Sequence, residues 1–162
     1  MRYLAKLVAV EGADKVGKAT QTKRLLRSLQ TFGDLARLVE VPFNDRVTYK
    51  VIYWMLRNGW AKRFPNLFQF VHFVNKFFFQ FTYLMWLRLT CDVVVLDRWA
   101  LSSVVYGRET GASVWFTGLL YKFLMSPDIT VILHGPSFNR DEEADDVYEK
   151  DTALQTAVKK GY

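Results

Sequence analysis

Two short stretches carry residues able to do chemistry on phosphate. The first is Gly12-Ala13-Asp14-Lys15-Val16-Gly17-Lys18, which fits G-x-x-x-x-G-K. Glycines let such a loop wrap closely, so that successive backbone N–H groups point at phosphate oxygens. The helix expected after the loop adds the positive end of its dipole, and Lys18 reaches the outer phosphates. Lys15, in the same loop, is a second candidate for steadying a phosphoryl group in transit. The second stretch is Asp97-Arg98, at the end of the apolar run Asp92-Val93-Val94-Val95-Leu96. An Asp there can hold Mg²⁺ through water, and an Arg can clamp phosphate with two parallel hydrogen bonds.

Position 19 departs from the usual pattern. A Ser or Thr normally follows the loop lysine and offers its hydroxyl to Mg²⁺. Here the residue is Ala19, with Thr20 one position later on a different side of the helix. Either Mg²⁺ is held by phosphates, water and a carboxylate such as Asp97, with Thr20 a weak second ligand, or its binding is weakened.

The elements that must position these residues follow from pattern. Ala5–Val10, Ala36–Val41, Asp92–Leu96 and Ile129–Leu133 are rich in Val, Ile or Leu without the polar alternation of a one-sided sheet, and are expected as buried parallel strands. Helices are expected over Lys18–Phe32, ending at Gly33; Thr48–Arg57, ending at Asn58-Gly59; Pro65–Leu89; and Ser113–Met125. Strand–helix alternation predicts an α/β domain with a parallel sheet, whose ligands bind at the carboxyl ends of the strands. The two phosphate stretches and Pro42-Phe43 all fall at such ends.

The 162 residues fit one domain, 1–162, large enough to bury a core without staples. The single cysteine, Cys91, cannot form an internal disulfide, and no Cys/His cluster has zinc spacing, which fits a reducing intracellular setting. The expected location is cytoplasmic, or host cytoplasm for a viral chain. Residues 77–87 are the most membrane-like, but Lys76 and Arg88 bracket them too closely for a span of roughly 20 residues. The net charge is +6; Arg140 to Asp151 holds seven acids and two bases, leaving 20 bases against nine acids elsewhere. That excess suits a polyanionic ligand, and charge alone does not choose nucleotide over nucleic acid.

In order along residues 1 to about 135, the chain resembles the thymidylate kinase family. The resemblance rests on Glu11-Gly12-Ala13-Asp14-Lys15-Val16-Gly17-Lys18-Ala19-Thr20-Gln21, on Asp97-Arg98-Trp99 followed by Ser102, Ser103 and Tyr106, and on Pro127-Asp128. It implies a P-loop NTPase-type three-layer sandwich, with ATP bound by Gly12, Ala13, Asp14, Lys15, Val16, Gly17, Lys18, Ala19 and Thr20. The implied reaction passes the γ-phosphoryl group to a deoxynucleoside monophosphate, dTMP before others, with Mg²⁺ as cofactor. A modified pyrimidine acceptor and a non-catalytic nucleotide binder are the alternatives.

By the same resemblance Lys18, Arg98, Asp14 and Lys15 are the catalytic set. Asp14 lies near the acceptor, Arg98 binds phosphate, and Ser102, Ser103 and Tyr106 line the acceptor side. Pro42 and Phe43 line the nucleoside pocket, Asn75-Lys76 takes the place of the family's Asn-Arg, and His72 or Phe73 stacks on the base. A lid at about 135–150 precedes Asp146-Val147-Tyr148-Glu149, with Tyr148 as an aromatic on the acceptor. The family continues into a fifth strand and a last helix, so the chain is either a minimal variant or truncated. ATP and a nucleoside monophosphate are the expected partners, with a homodimer considered, no membrane, and nucleic acid disfavoured.

Overall fold

The computed structural model describes residues 4–45, 47–135 and 152–162. The expected lid, the acidic run and Tyr148 lie outside these residues. Four strands form one parallel sheet: β1 (Lys6–Gly12), β2 (Ala36–Glu40), β3 (Val93–Asp97) and β4 (Ile129–Leu133), in the order β2-β3-β1-β4. The register pairs Val10 with Asp97 and Gly12 with Leu133, which brings the ends of β1 and β3 to one edge.

Helix α1 (Lys18–Thr31) returns from β1 to β2. Next come α2 (Thr48–Arg57), the short α3 (Trp60–Arg63) and α4 (Pro65–Phe79). Alternate strand residues Leu7, Ala9, Val94 and Leu96 pack with Phe79, Leu84, Leu87, Trp99 and Tyr121 into the main core. Trp99 is fully buried, and its indole N–H donates to the Met125 carbonyl oxygen (2.8 Å). Cys91 is buried in the same core as a free thiol.

The expected helix over Pro65–Leu89 is interrupted. Residues Gln80–Leu84 form one π-helical turn before α5 (Met85–Thr90). The cause lies at Gln80, a buried amide in an aromatic run. It donates to the Phe123 carbonyl (3.0 Å) and accepts from the Met125 N–H (2.8 Å). A π-turn adds a residue to the helical repeat and re-aims side chains, which lets this amide meet both partners. Helix α6 (Ala100–Glu109), not anticipated as a helix, precedes α7 (Val114–Tyr121), which Ser113 caps through its hydroxyl.

Strand β4 departs from expectation. It was read as buried, but Ile129, Val131 and Ile132 are exposed. It joins the expected parallel sheet, pairing with β1; what the pattern could not supply is the layer that would cover it. Helix α8 (Thr152–Gly161) lies instead against the phosphate loop and α6, where Leu154 and Val158 are buried with Ala13, Val16, Val105 and Tyr106. Each such aliphatic burial contributes about 2 kcal/mol.

Gly12 is the tightest backbone position. Its φ is +140°, and a Cβ there would collide with the Leu133 carbonyl oxygen of β4. Gly12→Ala is therefore expected to destabilise the fold by about 2 kcal/mol or more, through strain and overlap together. Urea denaturation checks this; an unchanged midpoint would show that β4 yields freely.

Candidate active site

The site is built where β1 and β3 end. Three positive φ angles wind the loop between β1 and α1: Gly12 (+140°), Lys15 (+60°) and Gly17 (+88°). Such alternation turns consecutive N–H groups to one side, as an anion requires. The first turn of α1 holds no acid to offset its positive end. Lys18 is buried at the start of that helix. Its ammonium donates to the Ala13 carbonyl and lies 3.5 Å from Asp14 Oδ1. Burial and the charge of Arg98 lower its pKa to about 8, against the pull of Asp14 and Asp97.

Arg98 leaves β3 with φ +70°, a strained angle for a non-glycine residue. Its N–H donates to the Val10 carbonyl (2.9 Å). The guanidinium pairs with Asp14, donates to the Gly12 carbonyl (3.2 Å) and Ser102 Oγ (3.3 Å), and lies over the Tyr106 ring. The Tyr106 hydroxyl donates to Asp14 Oδ2 (2.7 Å). Burial alone would raise Asp14; Arg98, Lys18, Tyr106 and Gln155 together hold it below the ordinary carboxylate value. Burial alone would lower Arg98, yet Asp14, Tyr106 and Tyr162 hold it above its usual value.

Glu11 was quoted in the sequence motif without a role. It is almost wholly buried and accepts from the backbone N–H groups of Trp99 (3.0 Å) and Ser102 (3.1 Å) and from the Ser102 hydroxyl. Helix α6 has no cap from its own side chains, so a carboxylate from β1 satisfies its first N–H groups. A charged residue closing an otherwise apolar strand was the available signal. Gln155 of α8 and Tyr162 just after it, which reach Asp14 and Ser102, gave none, because they act across 141 and 60 residues of chain.

Lys76 of α4 is buried. It bonds the Ser103 hydroxyl of α6 and lies 5.2 Å from the Tyr121 ring centroid. His72, one turn earlier, is half-buried with Nδ1 shielded from solvent and unpartnered, its ring edge-on to Phe68 at 4.6 Å. Phe73 packs on Phe77 and on Tyr121, the ring that Lys76 also approaches. Both candidates for the base therefore lie within a turn of Lys76 on α4. Asn75 grips the loop after β2, accepting from the Phe43 N–H (2.9 Å) and donating to the Phe43 carbonyl (2.8 Å). That loop opens with a cis Val41–Pro42 bond, and Phe43 stacks on Phe79 at 4.8 Å.

For a metal the offer is narrow. Among the described residues no group of three or more His, Cys, Asp or Glu could hold an ion. Ala19 has no side-chain oxygen to give, and Thr20 is exposed. Asp97 remains, half-buried beside Lys18, with its pKa raised by burial against the pull of Arg98 and Lys18.

A parallel sheet ending in a glycine-wound anion loop, with a lysine at the head of α1, defines a P-loop nucleotide-binding protein. The family model described as thymidylate kinase matches residues 10–160, and the chain belongs to that family. A thymidylate kinase of African swine fever virus (isolate Tick/South Africa/Pretoriuskop Pr4/1996) is 27% identical over 128 residues, 78% of this chain and 50% of the viral one. The chain thus spans about half the length of this curated relative. The thymidylate kinase of Candida albicans superposes with a TM-score of 0.77 at 21% identity, over 99% of this chain and 77% of its own. That of Ehrlichia chaffeensis gives 0.75 at 18%, over 97% and 83%.

Lys76 carries a pH signature. Burial, reinforced by Arg98 and opposed by Glu11, lowers its pKa from 10.5 to about 7. Above pH 7 the folded chain sheds a proton that the unfolded chain keeps, so the cost of burying the charge is relieved as pH rises toward 10.5. Stability should climb from pH 7 to 9 and, in Lys76→Met, climb less. Denaturation midpoints over that range check it; identical slopes would place the ammonium in water.

Proposed function

We propose that the chain is a nucleoside monophosphate kinase that transfers the γ-phosphoryl group of ATP to a deoxynucleoside 5′-monophosphate, with dTMP the acceptor. The observation that carries the reading is the Asp14–Arg98 pair, which seats a guanidinium beside the phosphate loop and next to Lys18. In this reading an acceptor phosphate oxygen attacks the γ-phosphorus in line, the bond to the β–γ bridging oxygen breaks, and ADP leaves. The acceptor is already a nucleophile, so the protein's work is to hold two anions together and offset their charge. Lys18 and the loop N–H groups hold the donor, and Arg98, aided by Lys15, meets the charge on the transferring group. His72 and Lys76 face the base, and Ser102, Ser103 and Tyr106 orient the side chains around the acceptor. Mg²⁺ would be held by the ATP phosphates and Asp97, and would supply charge neutralisation between the β- and γ-phosphates.

We also propose a homodimer. Helices α2 and α4 pack on each other and leave Val51, Trp54, Leu67, Phe70 and Phe78 exposed. Apolar surface of this kind marks an interface. Light scattering on the eluting protein should give twice the chain mass, and Phe78→Glu should give one chain mass; a monomeric wild type ends this proposal.

The test of the activity is ADP release over a panel of nucleoside monophosphates. Turnover should be highest with dTMP and vanish in EDTA. Lys18→Ala should abolish it with the circular dichroism spectrum intact, and Arg98→Ala should lower kcat by about 10²-fold to 10³-fold. A preference for another pyrimidine monophosphate moves the acceptor assignment alone. ATP binding with no turnover on any acceptor would make the chain a nucleotide binder and not a kinase.

A further inference from the structure

Helix α8 does more than cover apolar surface. Its Gln155 meets Asp14 at two points: the side-chain Nε2 donates to Oδ2 (2.7 Å), and Oε1 accepts from the Asp14 backbone N–H (3.1 Å). One amide therefore fixes both the main chain and the carboxylate of a single loop residue. Asp14 in turn holds the Arg98 guanidinium through Oδ1. The helix does not depend on Gln155 to stay in place. Leu154 and Val158 bury themselves on Ala13, Val16, Val105 and Tyr106, and the Tyr162 hydroxyl lies 2.6 Å from Ser102 Oγ. Gly161 passes so close to α6 that an added Cβ would stand 2.9 Å from Val105 Cγ1.

We propose that Gln155 is a positioning residue for phosphoryl transfer, a two-point clamp that sets Asp14 and, through it, the direction of Arg98. This inference rests on the kinase reading above. Without the amide, the Asp14 carboxylate keeps Arg98 and Tyr106 but loses the bonds that fix its rotation and its backbone. Arg98 then follows a carboxylate held by fewer bonds, on a loop residue whose N–H has lost its partner. A shift of about 1 Å in such a group costs on the order of 10²-fold in rate.

Two substitutions at one position and one neighbour test it. Gln155→Ala should lower kcat by about 10-fold to 100-fold, with KM for ATP and acceptor changed less than about threefold and the thermal midpoint unchanged. Gln155→Glu keeps an acceptor for the Asp14 N–H but sets carboxylate against carboxylate. The acid limb of its pH–kcat profile should move up relative to wild type, because Asp14 loses a donor and gains a like charge. Leu154→Ala supplies the signature of simple loosening: lost stability, with no such pH shift. Wild-type kcat in Gln155→Ala, or a loss matched by the fall in stability seen for Leu154→Ala, overturns the clamp. If wild type turns over no acceptor, the kinase reading fails by itself, and the clamp is then judged by carbon NMR titration of Asp14. A raised pKa in Gln155→Ala supports the clamp, and an unchanged one rejects it.

Discussion

Most of the site depends on one buried carboxylate. Glu11 stands at the end of β1, and its acceptors take the N–H groups of Trp99 and Ser102 and the hydroxyl of Ser102. A polar group in such a place is tolerable only when its oxygens are bonded, and these are. Through them β1 sets where α6 begins. The residues that α6 presents, Ser102, Ser103 and Tyr106, therefore sit at fixed distances from the loop that β1 also controls. Arg98 lies in the two-residue turn between β3 and α6, and its left-handed backbone is held from both sides by the Val10 carbonyl and by this cap.

With the turn fixed, the charges arrange themselves. Lys18 and Arg98 would repel at close range, and Asp14 lies between them, within 3.5 Å of the ammonium and paired to the guanidinium. The lowered pKa of Lys18 records the cost of crowding cations where water is scarce. Under the proposed kinase reading, a bound polyphosphate would relieve that cost, because it would supply negative charge where the protein has left it short. Lys76 repeats the pattern on the other side of α6. A lysine there is a point charge without the flat fork of an arginine, so in the proposed reading it would steady a ligand more loosely than an arginine would.

Much of this was legible in the chain. The phosphate loop, the Asp-Arg turn and four parallel strands came from local pattern, and Thr48–Arg57 matched to the residue, because a glycine, an apolar run or a paired charge announces itself over a few positions. What stayed hidden acts at long range. Nothing in Thr152–Gly161 marks Gln155 as a partner of a residue 141 positions earlier. Aromatic spacing on α4 does not say that Phe73 meets Tyr121, a ring that a distant stretch of the chain supplies. The apolar run of β4 was correctly a strand and wrongly a buried one, because a strand's own sequence does not say what lies over it.

The lone cysteine has a practical consequence. Cys91 is buried beneath the end of α5, shielded from reagents that attack exposed thiolates. A second cysteine placed on an exposed position of α8, such as Ala153, would take a maleimide dye or a nitroxide selectively in the native fold. The protein thus comes ready for spectroscopic rulers without removal of its own sulfhydryl.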